Sequence, residues 1–131
     1  MIVDTSALLA ILLEEPEAAS FEVAIAGAPY PKVSAATYLE TGIVIDARQD
    51  PLRSRWLDSF LACAEIAIEP VTAEQAVIAR QAYQDFGRGS GHRAQLNFGD
   101  CFAYALACAM DEDLLFKGHD FSHTDVRPAK A

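Results

Sequence analysis

Long hydrophobic runs are missing from this chain. Its most extended uncharged apolar stretches, Ala7 to Leu13 and Cys101 to Met110, fall short of the ~20 residues that a membrane-spanning helix needs. No basic residue precedes the first stretch, as a secretory signal would require, so a cytoplasmic protein is expected. Cysteine is scarce and odd in number. Cys63, Cys101 and Cys108 lie in apolar surroundings with neither C-x-x-C nor His-bearing zinc spacing, which excludes a disulfide framework and a zinc module and leaves free core thiols. Positive charge is also short: 10 Lys and Arg against 19 Asp and Glu give a net charge of -9, the opposite of a nonspecific nucleic-acid binder. Repeats and low-complexity segments are absent. The glycine-rich Gly87-Arg88-Gly89-Ser90-Gly91 has neither the spacing nor the lysine of a nucleotide P-loop, which excludes that route to ATP. It reads either as a basic loop touching phosphates or as a plain solvated connection.

What is present suits one domain spanning residues 1–131, with 52% hydrophobic residues to build a core. Charge is unevenly placed. Asp4, Glu14, Glu15, Glu17 and Glu22 precede the first base, Lys32, whereas Arg80, Arg88, His92 and Arg93 fall in one region. An acidic face with a local basic rim fits a metal site or a cationic protein partner, and it also fits ordinary solubility.

Ile2-Val3 reads as a short buried strand ending in Asp4, with Thr5-Ser6 able to cap a helix from about Ala7. Glu15-Pro16-Glu17 stops that helix and starts another, which Gly27 ends. Ser34 is an N-cap for a helix from Ala35, with Val33 and Tyr38 at staple spacing. In that helix Ala36, Ile43 and Val44 fall at i-4, i+3 and i+4 from Glu40, so this acid lies inside an apolar stripe. Pro51 opens a helix with Trp56, Leu57, Phe60 and Leu61 as its core stripe. Glu65 to Val71 alternates as a second strand, with Ile66 and Ile68 on one side, and Thr72 with Gln75 caps a helix to about Phe86. A further helix starts at Asn97-Phe98-Gly99-Asp100 and runs to Met110. Leu114 to Phe116 forms another strand, followed by Lys117 to Phe121. Alternating strands and helices predict a three-layer α/β fold, a parallel sheet covered by helices on both faces.

Asp4, Asp100 and Asp120 all stand at strand ends or helix starts, where ligands gather in open parallel sheets, and Glu40 adds a fourth carboxylate. Each also has a bland role, as helix cap, turn former or solvated acid. Two carboxylates about 4 Å apart repel by roughly 4 kcal/mol at an effective dielectric of 20, so a cluster of four must take up protons or a cation. All-oxygen donors select hard Mg²⁺ or Mn²⁺, which activate water for phosphodiester hydrolysis without a protein nucleophile. His92, His119 and His123 read as loop residues.

The segments M-I-V-D-T-S-A from Met1, Y-L-E from Tyr38, N-F-G-D-C-F-A-Y-A-L-A from Asn97 and L-L-F-K-G-H-D-F-S-H-T-D from Leu114 resemble, in that order, those of PIN domains. Together they look close to the VapC-type toxins of bacterial toxin-antitoxin systems. The resemblance implies a central parallel sheet, Mg²⁺- or Mn²⁺-dependent ribonuclease activity, a homodimer and a cognate antitoxin that blocks the site. It matches Asp4 and Asp100 to the principal metal ligands, Glu40 and Asp120 to the other two acids, and Thr5 or Ser6 to a residue orienting a carboxylate or water. Thr124 and Asp125 match the tail as outer support. The alternatives are an inactive protein-binding module of the same fold and a phosphoacceptor receiver domain, the latter disfavoured because the strand ending at Glu69-Pro70 offers no Asp. A dehalogenase-type phosphatase would need a second acid where Ser6 stands.

Overall fold

The computed structural model describes residues 1–131. In chain order the elements are β1 (Ile2–Val3), α1 (Thr5–Leu12), α2 (Ala18–Gly27), β2 (Lys32–Ser34), α3 (Ala35–Asp46), α4 (Pro51–Cys63), β3 (Ala67–Glu69), α5 (Ala73–Phe86), α6 (Phe98–Met110) and β4 (Leu114–Leu115). The four strands form one parallel sheet in the order β3-β2-β1-β4. Ile2 is in register with Lys32 on one side and Leu114 on the other.

Side-chain alternation along these short strands divides the interior in two. Val3, Val33 and Leu115 face a cluster built with Leu8, Ile25 and Leu61, whereas Ile2 and Leu114 face one built with Leu96, Leu106 and Phe121. Both faces of the sheet are therefore buried along β1, β2 and β4, as the α/β reading requires. Local signals hold at the helix starts: Ser34 accepts from the Ala36 amide, Asp50 from Leu52, and Thr72 from Gln75.

Several expectations change. Lys32–Ser34 is a strand rather than the end of a link, so the strand near Ile68 is the third; flanked by Pro31 and a helix cap, β2 is too short to show alternation. Helix α1 starts at Thr5, with Asp4 itself as the N-cap. Trp56 is 43% exposed and leaves the α4 core stripe to Leu57 and Leu61. Ile66 is buried just before β3, while Ile68 on this edge strand is open. In α3 the buried face is Thr37, Thr41 and Ile45, and the apolar stripe around Glu40 faces outward.

Candidate active site

Strand order decides where the acids meet. The chain leaves β1 towards β2 and β3 and later returns to β4 on the opposite side of β1, so the direction of connection reverses between β1 and β4. Crevices form at the carboxyl ends of strands at such a reversal. Asp4 follows β1 there, and the Lys117–Asp120 turn follows β4. A hydrogen bond of 2.9 Å from the Lys117 amide to Ser6 Oγ ties the two strand ends together, and Ser6 Oγ donates in turn to Asp4 Oδ2 at 2.7 Å.

Asp4 is 4% exposed; its Oδ2 also accepts from the Ser6 amide at 3.0 Å, leaving Oδ1 outside this pair of bonds. Asp100 lies in the first turn of α6 within a reciprocal cap: its Oδ2 accepts from the Asn97 amide at 2.9 Å, and Asn97 Oδ1 accepts from the Asp100 amide at 2.9 Å. Its Oδ1 stays outside the cap. Glu40 reaches across from α3, where Thr5 Oγ1 donates to its Oε1 at 2.5 Å. Glu40 Oε2 lies over Gly99, so close that a Cβ there would overlap it. Glycine thus lets a carboxylate rest on the first turn of α6, where unpaired amides favour negative charge. The capping roles of Asp4 and Asp100 are therefore real, and each carboxylate still keeps an oxygen for other work.

Burial pushes the Asp4 carboxyl up to about 6, the Ser6 hydrogen bonds opposing and Glu40 adding to the effect. Burial raises Asp100 to about 7 against its Asn97 bond, with repulsion from Asp4, Asp120 and Glu40 added. Asp120 sits on the exposed turn after β4 and joins the others through this field rather than through a hydrogen bond. None of the four acids is ion-paired, whereas Glu15 and Glu17 share Lys117, and Glu112 holds both Lys32 and the N-terminal ammonium. No three acidic, histidine or cysteine side chains converge tightly enough to enclose an ion alone. Oxygen donors alone, with no thiol or imidazole among them, are the donor chemistry that hard ions such as Mg²⁺ and Mn²⁺ take.

Of the two residues the resemblance offered as supports, Thr5 hydrogen-bonds Glu40, and Ser6 joins Asp4 to the end of β4. Asp125 accepts from Tyr104 Oη at 2.6 Å and Thr124 bonds the Phe121 carbonyl at 2.7 Å, so both fasten the tail. His119 and His123 are exposed, but His92 is half-buried with its ring edge-on to Phe86 at 5.0 Å. The sequence reading missed Gly99. Its only local signal was a glycine immediately before the helix-start acid.

Comparison with known proteins agrees with this architecture. Residues 1–127 match the PIN domain family. The chain is 57% identical to Ribonuclease VapC28 of Mycobacterium tuberculosis over 129 residues, covering 98% of this chain and 97% of that protein. Its fold is similar to the crystal structure of Mycobacterium tuberculosis VapC20, a Sarcin-Ricin loop cleaving toxin, with a TM-score of 0.72 at 20% identity over 97% of this chain and 98% of that one. It is also similar to a chain of a toxin-antitoxin complex from Klebsiella pneumoniae, with a TM-score of 0.70 at 17% identity over 95% and 92% of the two chains. With the family matched along almost its whole length and a relative sharing more than half its residues, the chain belongs to the PIN-domain family, on its VapC branch.

Proposed function

We propose that this chain, a single PIN domain, is the ribonuclease toxin of a type II toxin-antitoxin pair, working in the cytoplasm, and that Asp4, Glu40, Asp100 and Asp120 hold Mg²⁺ or Mn²⁺ for hydrolysis of RNA phosphodiester bonds. The observation supporting the site assignment is that Asp4, Glu40 and Asp120, none of them ion-paired, each add repulsion to the buried carboxylate of Asp100 near the sheet's reversal point. The ribonuclease reading is supported by the full-length match to VapC relatives. The bound cation would supply charge to offset the carboxylates and to acidify a water. Asp4 and Asp100 bring the two most buried carboxylates, Thr5 fixes the rotamer of Glu40, and Asp120 closes the exposed side. A bound cation would favour the ionised forms of Asp4 and Asp100, against the burial that raises both carboxyls.

The antitoxin is the protein partner, and a second copy of the chain is the other. Phe98 is 77% exposed and forms a ridge between two apolar grooves. One, of about 440 Å³, runs between α3 and α6 past Leu39 and Ile43; the other, of about 320 Å³, runs between α5 and α6 past Tyr83. A ridge beside a groove on one face is the self-complementary surface that a two-fold dimer uses.

Purified protein incubated with RNA tests the reading. Cleavage should require Mg²⁺ or Mn²⁺, stop with excess EDTA, and disappear in a folded Asp4→Asn variant. Full turnover in EDTA would refute the metal assignment, and metal-replete protein that never cuts RNA would leave a binding module instead.

A further inference from the structure

The basic segment before α6 is not a slack connection. Gly87 and Leu96 form a parallel bridge, with the Arg88 amide on the Leu96 carbonyl at 2.9 Å and the Leu96 amide on the Phe86 carbonyl at 2.8 Å. Ser90 Oγ donates to the Gly87 carbonyl at 2.7 Å and accepts from the His92 amide at 3.1 Å, so the tip is braced from within. Gly89 and Gly91 supply the positive φ angles of 88° and 83° that this turn needs. Ala94 and Leu96 are buried and anchor the returning arm.

The loop encloses a shallow basin of about 570 Å³ lined by Arg88, His92, Arg93, Gln95 and two glycines, with no apolar residue. Residues 86–99 contain no Asp or Glu in a chain that has 19 of them, and neither guanidinium is engaged by a carboxylate. Both arginines are exposed. His92 Nδ1 accepts the Ala94 amide at 3.1 Å, so the neutral ring carries its proton on Nε2, a donor left for a ligand. The basin thus offers donors only at its charged positions. Its returning arm leads straight into Asn97, whose cap holds Asp100. Four residues of extended chain reach at most about 14 Å, which limits the Cα separation of Arg93 and Asn97 and keeps the basin within a few nucleotides of the acids.

We propose that Arg88, His92 and Arg93 form a phosphate-binding basin that grips the RNA backbone to one side of the scissile bond. Its chemistry is recognition of phosphodiester oxygens, blind to base identity, and it rests on the ribonuclease reading above. A net charge of -9 repels RNA in general, so a preformed basic basin beside the acids fixes where the strand enters and in which direction it lies.

The test measures binding apart from cleavage. Fluorescence anisotropy with a labelled single-stranded RNA, carried out on the Asp4→Asn protein, is compared between that background and the same protein bearing Arg88→Gln and Arg93→Gln, over a salt series. Losing two phosphate contacts should lower the slope of log affinity against log salt by about 1.4, a loss of about 25-fold at 0.1 M that vanishes near 1 M. Arg48→Gln with Arg55→Gln, the same charge change elsewhere, should leave most of the affinity. Equal losses in both pairs would reduce the effect to net charge and overturn the basin. Unchanged RNA affinity, with or without weakened antitoxin binding, would overturn it too. Should the wild-type protein fail to cleave RNA while the basin variant still loses affinity in this way, the ribonuclease reading falls and the basin stands.

Discussion

Replacing Gly99 with alanine separates stability from function in a way that follows from one contact. The added methyl would occupy the space of Glu40 Oε2. The obstacle is the far end of a flexible, half-buried side chain rather than backbone, so the strain is relieved when Glu40 swings towards solvent. That movement breaks the Thr5–Glu40 hydrogen bond. A bond to a charged group contributes about 1.5 to 3 kcal/mol, and partial exposure of Glu40 puts this one at the low end. Alanine in place of glycine returns up to about 1 kcal/mol of helix propensity, less in a first turn than in a helix interior. The two effects nearly offset, and the fold should lose no more than about 1 kcal/mol. The crevice, by contrast, loses a carboxylate, and disturbing the support of a metal ligand costs on the order of 10- to 100-fold in affinity or rate. Urea melts in EDTA should therefore superimpose closely, while the Mn²⁺ concentration needed to raise the melting temperature and the RNA cleavage rate both change by that factor. A variant that keeps the wild-type Mn²⁺ response and cleavage rate would refute the reasoning. So would one that loses about 3 kcal/mol or more in EDTA, which would make the contact a packing feature.

Metal-free protein should become less stable as pH rises: Asp4 and Asp100 have folded values near 6 and 7 above an ordinary 3.8, so the stability they lend is complete below about pH 4 and is lost as pH passes through 6 and 7. Asp100→Asn should flatten that decline, raise the melting temperature in EDTA at pH 8, and remove most of the Mn²⁺ stabilisation, which for wild type is about 2.7 kcal/mol at one hundred times Kd. A lower melting temperature in EDTA with undiminished gain from Mn²⁺ would make Asp100 a helix cap and nothing more. Phe98→Asp should leave the fold intact, since Phe98 is 77% exposed, and shift the mass seen by light scattering from twice 14.2 kDa to 14.2 kDa; a persisting dimer would place the interface elsewhere. Antitoxin binding should weaken along a Mn²⁺ series, because an antitoxin arginine or lysine would relieve the same repulsion as the ion. An affinity indifferent to Mn²⁺, in a complex that leaves the acids open, would count against that mechanism.

Local chemistry made much of this protein readable from its residues alone. Ser34, Thr72 and Asn97 announce helix starts because a cap is settled within a few residues, and Ile2-Val3 followed by Asp4 announces a strand that ends in a carboxylate. Spacing and position singled out the four acids as candidates, and the family resemblance added Thr5 or Ser6 beside them. Which strand ends are neighbours could not be derived from spacing, since it depends on β4 pairing with β1 after the sheet has grown the other way, a long-range choice that leaves no periodic trace. Helical spacing placed Glu40 in an apolar stripe, but only packing decided that α3 buries Thr37, Thr41 and Ile45 and turns Leu39 and Ile43 outward. Whether an apolar residue is core or contact surface depends on what stands opposite it, and the residues opposite are distant in sequence. Gly99 belongs to the same class: the requirement for glycine comes from a side chain 59 positions earlier, held over the first turn of α6 by the tertiary fold.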